Sequence, residues 1–280
     1  MKITLKTLIL FVLLSCSDKG IDYEKYKESQ DYTTPLFADS YKSKIALFIF
    51  PHPDDEIVCA GTITQLKKNG WTINLLTLTQ GQPDEKTIRK KEWLKAVKEL
   101  AIDNYEILDL PNNSWDNVIK NNITFWYDKT DSLESIIYRA IQKNRPTLLF
   151  TYDTALGAYG HPEHRISALA ANNVFLNHKS DTLFSVERIL QITLPEKQEQ
   201  LMLNSAESYK NAIKLTGNKT LPDPTVAFDI SKYWNVKRNA ASLYASQEGS
   251  MKKFFLLPEI QDTTNHYKTF DKEYYFEIKK

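Results

Sequence analysis

Two short clusters hold residue types that can bind a metal and move a proton: Pro51-His52-Pro53-Asp54-Asp55-Glu56 and Tyr159-Gly160-His161-Pro162-Glu163-His164. Three of the five histidines of the 280-residue chain lie in them. Neutral imidazoles and carboxylates are the ligands of catalytic zinc, which keeps three protein ligands and an open position. His52 stands three residues before Asp55, and His161 three before His164. Pro53 and Pro162 fit the first position of a helix, where a missing N–H costs nothing. Residues three apart then share one side of the first turn, so two imidazoles and one carboxylate can complete a three-ligand zinc site. The run Asp54 to Glu56 says little alone, because carboxylates favour any helix N-terminus. Histidine says more: the positive helix end disfavours imidazolium and leaves the neutral, metal-binding form. His178 and His266 stand outside both clusters and read as ordinary histidines. Cys59, in Ile57-Val58-Cys59-Ala60, reads as an inert buried thiol.

Something must bring two clusters so far apart in sequence together. Short apolar runs alternate with amphipathic stretches from residue 45 on, the pattern of a mostly parallel α/β sheet. Strands are expected at Ile45 to Phe50, Trp71 to Leu78, Tyr105 to Leu110, Thr147 to Tyr152 and Val186 to Thr193. Helices are expected over Lys90 to Ala101, Leu133 to Ile141 and Ser231 to Gln247, with a long loop at 111–130 and a polar stretch at 195–225. The clusters follow the first and fourth strands. Ligands of open α/β sheets bind beyond the carboxyl ends of the strands, so both loops can face one crevice.

H-P-D-D-E after the first strand together with H-P-E-H after a later one resembles the LmbE-like, or PIG-L, zinc N-deacetylases. The likeness runs from about Ile45 to about Gln247. It implies a Rossmann-like three-layer sandwich with the active site at the carboxyl ends of the strands, one Zn2+ per chain, and removal of an N-acetyl group from an N-acetylglucosaminyl-type substrate. By the same likeness His52, Asp55 and His164 are the zinc ligands, Asp54 is the general base and His161 faces the tetrahedral intermediate. Tyr159 matches a family tyrosine, and Arg89 with Glu92 resembles an Arg-x-x-Glu helix motif. Lys237, Leu243, Ser246 and Gln247 resemble a weaker closing motif. Glu163 stands where Asp is usual, and Tyr244 where the closing motif often has His. The residue types suffice for metal-assisted amide hydrolysis. Asp54 would take the proton, and Glu163 would orient His161 as an oxyanion stabiliser or general acid. Tyr159 reads equally as a packed aromatic, and Arg89 as a substrate contact or a solvated helix charge. Trp115, Trp126 and Tyr127 can stack on sugar rings or pack a loop. Two other readings of the same residues are an envelope zinc amidase or peptidase and a non-catalytic glycan-binding lipoprotein; the presence of Asp54 argues against the latter.

Hydrophobic residues make up 42% and charged residues 25%, so a folded, soluble body is expected. Lys and Arg number 36 against 35 Asp and Glu, for a net charge of +1 and no like-charge run, which leaves no electrostatic footprint for nucleic acid. Lys2 and Lys6 precede an apolar run, Leu8 to Leu14, that is too short to span a bilayer but fits an export signal. It closes on Leu13-Leu14-Ser15-Cys16, which resembles a bacterial lipobox with Cys16 as the acylated residue. The expected organisation is a signal peptide at 1–15, a polar tether at 16–40 and one deacetylase domain with a C-terminal extension at 41–280. Such a protein would sit in the cell envelope, membrane-bound through its lipid anchor only, facing an N-acetylated amino sugar or glycan.

Overall fold

The computed structural model describes residues 22–32, 34, 41, 43–120, 126, 128–254 and 268–280. Lys2 to Cys16, Tyr127 and His266 lie outside the described residues.

The apolar runs form one seven-stranded sheet of β1 (Ile45–Phe50), β2 (Thr72–Thr77), β3 (Asn104–Ile107), β4 (Leu148–Tyr152), β5 (Arg188–Thr193), β6 (Val226–Asp229) and β7 (Lys272–Lys279), in the order β3-β2-β1-β4-β5-β7-β6. Neighbours from β3 to β5 pair in parallel, and β7 runs antiparallel to both β5 and β6. Strand order therefore reverses between β1 and β4, and the crevice that opens there lies beyond their carboxyl ends.

β1 is apolar on both faces because both are covered. Ala46, Phe48 and Phe50 join one core with Ile63 and Leu66 of α1 (Ala60–Lys68), Trp93 and Val97 of α2 (Lys86–Glu99) and Ala240 of the late helix at Trp234–Ser242. Leu47 and Ile49, pointing the other way, join a second core with Ile137 and Ile141 of the helix Thr130–Asn144 and Ile166 and Val174 of the helix Pro162–His178. Numbered in chain order, the remaining helices are α3 (Trp115–Ile119), α4 (Thr130–Asn144), α5 (Pro162–His178), α6 (Glu196–Leu203), α7 (Glu207–Thr216), α8 (Trp234–Ser242) and α9 (Glu248–Phe254). Two helical layers enclose the sheet, as a three-layer sandwich requires.

Several expectations change. The polar stretch 195–225 contains α6 and α7, the expected loop 111–130 contains α3 and the start of α4, and the late helix stops at Ser242 before a 3-10 turn at Ala245–Gln247. Trp126 is buried in the second core and donates from Nε1 to Pro111 O at 2.8 Å, so it packs the loop and is withdrawn from any sugar. Within the expected tether, Tyr23 is buried, Gln198 of α6 donates to Tyr26 O, and Thr34 donates to Ala227 O of β6, so this part is seated on the body. Among the described residues no helix is long and apolar enough to cross a membrane.

Candidate metal centre

His52 follows β1 by two residues and His164 sits in the first turn of α5, so the switch point brings both clusters together. The second cluster has the expected local form. His161 is the N-cap of α5, Pro162 is its first residue, and His161 Nδ1 accepts from the Glu163 N–H at 3.2 Å. The first cluster departs from it, because a 3-10 turn at Asp55–Cys59 intervenes and α1 starts only at Ala60. His52 is joined to Asp55 instead by its backbone N–H, which donates to Oδ2 at 2.8 Å.

His52 Nδ1 lies 3.2 Å from His164 Nε2 and 3.4 Å from Asp55 Oδ2, and His164 Nε2 lies 3.3 Å from Asp55 Oδ1. Tetrahedral zinc with bonds of about 2.0–2.1 Å has ligand atoms about 3.3–3.4 Å apart, so each pairwise spacing is near that of such an ion, the two imidazoles meeting different oxygens of Asp55. The His161 ring joins the same buried group, with ligand atoms of the three histidines within 4.8 Å of one another.

Neighbours fix these side chains. Glu163 Oε2 lies 2.5 Å from His52 Nε2, and its other oxygen accepts from the Asn113 backbone and side-chain amides. The carboxylate thus orients His52, where the sequence suggested His161; His161 instead meets the Glu163 backbone N–H. Tyr152, at the end of β4, donates to Asp55 Oδ1 at 2.8 Å and stacks on His164 at 3.9 Å. Tyr159 sits edge-on to His161 and His164. Its loop is pinned by buried Asp153, which accepts from the N–H groups of Leu156, Gly157 and Ala158. Asp153 and Tyr152 were missed because a strand-end Tyr-Asp pair carries no distinctive spacing.

Asp54 has φ 96°, a left-handed conformation for a residue other than glycine, which costs on the order of 1–3 kcal/mol and clusters at functional sites. Arg89 is buried, corrected from a solvated helix charge. Its Nη2 lies 2.9 Å from Asp54 Oδ2 and donates to Pro53 O at 2.5 Å, so it grips the Asp54 carboxylate and also lines the cavity.

Burial pushes the Asp54 carboxyl up to about 7 against the pull of Arg89. Burial would also raise Asp55, but His164 and His52 outweigh it and hold that carboxyl well below the usual range. For His52 burial is outweighed by the hydrogen bonds to Asp55 and Glu163, which leave it raised to about 9, contrary to the neutral state expected for a helix N-terminus. Burial, with His164 and His52 nearby, pulls His161 far down, and burial lowers His164 as well.

A buried His/Asp cluster at the switch point of an α/β sheet, with a carboxylate beside it, can hold a metal ion and has the residue types of a hydrolytic centre. Residues 47–175 match the PIG-L family, described as GlcNAc-PI de-N-acetylase. The chain is 24% identical over 242 residues to a 1D-myo-inositol 2-acetamido-2-deoxy-alpha-D-glucopyranoside deacetylase of Thermobifida fusca, covering 72% of this chain and 82% of that protein. Its fold is similar to N,N'-diacetylchitobiose deacetylase from Pyrococcus horikoshii, with TM-score 0.50, 19% identity and 85% of each chain covered. It is equally similar in fold to the 4-carboxy-2-hydroxymuconate hydratase GalB of Pseudomonas putida, with TM-score 0.53, 14% identity, and 84% of this chain and 96% of that one covered. The family match and the sequence relatives support the PIG-L (LmbE-like) deacetylase family for this chain, whose members hydrolyse amide bonds. A metal-dependent enzyme of that amide-hydrolysing class is consistent with the histidine cluster.

Proposed function

We propose that the protein is a zinc-dependent N-deacetylase acting on an N-acetylglucosaminyl-type sugar. The observation that carries this reading is the donor set of His52, Asp55 and His164 at 3.2–3.4 Å spacing, with the strained carboxylate of Asp54 at its edge. Bound there, zinc would polarise the acetamide carbonyl and make water easier to deprotonate. Asp54 accepts that proton as the water oxygen bonds to the acyl carbon; a carboxyl held near neutrality is matched to this task. His161 accepts the Glu163 N–H on Nδ1, which assigns its own proton to Nε2. Burial keeps the ring neutral, so it serves as an N–H donor to the developing oxyanion. The C–N bond then breaks, and the amine leaves with the proton that Asp54 took from the water. Glu163 and Tyr152 hold His52 and Asp55 in place throughout.

The wall of the cavity supports a sugar. Beyond the reacting groups and Tyr159 the described lining offers Gln82, Asn112, Asn113, Gln247 and Ser250, neutral amides and a hydroxyl, beside the apolar Val118, and its arginine, Arg89, is already paired with Asp54. Such a surface suits hydroxyl groups better than carboxylates or phosphates. Acetate release from N-acetylglucosamine, chito-oligosaccharides and N-acetylated peptides, with and without added zinc, is the test. Release from the sugars alone is expected; release from peptides alone would turn the reading to a zinc amidase.

Placement in the cell envelope through an acylated Cys16 is part of this proposal, supported by Leu13-Leu14-Ser15-Cys16 behind Lys2 and Lys6. Mass spectrometry of the mature N-terminus should find an acylated Cys16; an unmodified Cys16 would remove the anchor and leave the chemistry untouched.

A further inference from the structure

We propose that Tyr244 is a positioning residue for the base: through Glu56 it holds the backbone N–H of Asp54, and so the aim of the Asp54 carboxylate. The inference rests on Asp54 being the base. Glu56 is fully buried and has no place in the chemistry above. Its Oε1 accepts from the Tyr244 hydroxyl, and its Oε2 accepts from the Asp54 N–H at 3.2 Å. Asp54 needs such a hold, because its φ of 96° is one the chain does not keep without outside ties. Arg89 supplies ties on the other side, to Pro53 O and Asp54 Oδ2.

The same short segment also reaches the helix that carries Arg89. Ser246 donates from its N–H and its hydroxyl to the two oxygens of Glu92, and Gln247 Nε2 donates to Glu85 Oε2 at 3.1 Å. Glu92 lies on α2 one turn from Arg89, and Glu85 is the residue just before that helix. The 3-10 turn at Ala245–Gln247 and the tyrosine before it therefore tie to Glu56 and to the two carboxylates that flank Arg89 in sequence, although they lie far beyond the segment 47–175 that matches the family. Tyr244 is 1% exposed and also packs in the first core, so packing and positioning must be separated.

Tyr244→Phe separates them, because it keeps the ring and removes only the donor. With N,N'-diacetylchitobiose as substrate and the zinc-loaded enzyme, kcat should fall by about 10- to 100-fold, the effect of a small misplacement, while KM and zinc content stay within about two-fold. Glu56→Gln is a second route to the same loss. In an Asp54→Asn background Tyr244→Phe should add nothing, since the group it aims is gone. Undiminished kcat in Tyr244→Phe, or losses that multiply in the double variant, would overturn the proposal. Near-wild-type turnover of Asp54→Asn alone would instead remove the base on which it rests.

Discussion

At the scale of single residues, the centre divides its labour by environment. Asp54 and Asp55 are adjacent and chemically identical, yet burial raises the first to about 7, whereas two imidazoles hold the second far below the usual range. On the proposed function the first serves as proton acceptor and the second as anionic ligand, a separation that pairs of carboxylates use for distinct roles. Asp54→Asn should therefore keep the metal and fold but lose at least about 100-fold in kcat, as removal of a general base does. Acetate release at saturating substrate is the check, and a loss smaller than about 3-fold would exclude that role. His161→Asn discriminates further. His161 lies with His52 and His164, but as N-cap it is tied at Nδ1 to the helix start, outside the 3.2–3.4 Å donor set. Metal content should stay near one per chain while turnover falls; loss of metal would make His161 a ligand.

Among the elements, what was legible in the sequence was what has a period or a chemical signature. β1 and β4 could be read because strands covered on both faces are apolar without interruption, and the two clusters because histidine is rare and its spacing regular. α7 was not legible: Glu207 to Thr216 is polar overall, and only Tyr209 and Ser208 are buried. Yet α7 backs the second cluster. Gly160 has φ 85°, a Cβ there would come within 2.3 Å of Ser208 O, and the Ser208 hydroxyl donates to Tyr159 O. Gly160→Ala should accordingly cost on the order of 1–3 kcal/mol and lower Tm by several degrees, with weakened metal retention. An unchanged melting curve would show that α7 gives way freely. β7 was missed for a different reason. It alternates Tyr274, Phe276 and Ile278, but its Glu273 looks like a surface charge; the strand turns it inward to accept from the Gly61 and Thr62 N–H groups at the start of α1 and to pair with Lys237. Tertiary contacts of this kind leave no local pattern.

For the whole molecule, so many ionisable groups buried at one point make stability depend on pH. Glu56 is raised by burial from 4.5 to about 8, and His52, despite burial, is raised by Asp55 and Glu163 from 6.5 to about 9. Both bind protons more tightly folded than unfolded. Their contribution is complete below the unfolded values and disappears as pH rises through about 8 and about 9. Chelator-treated protein should thus melt at least about 2–4 °C lower at pH 9 than at pH 6, which is what ~1 kcal/mol is worth in a chain of this size, and Glu56→Gln should flatten the trend. A higher Tm at pH 9 would reverse the assignment. The seated segment around Tyr23 also bears on placement: with Cys16 acylated, the few residues up to Asp22 reach no more than about 20 Å, so the body would stand close to the bilayer rather than range freely. The central claim is that a metal held by His52, Asp55 and His164 supports N-deacetylation. The most direct measurement is acetate release from N,N'-diacetylchitobiose as zinc is titrated into chelator-treated protein, with His164→Ala run alongside. Turnover should rise in proportion to zinc up to one ion per chain and stay at background in His164→Ala; full turnover by the metal-free protein, or by His164→Ala, would contradict it.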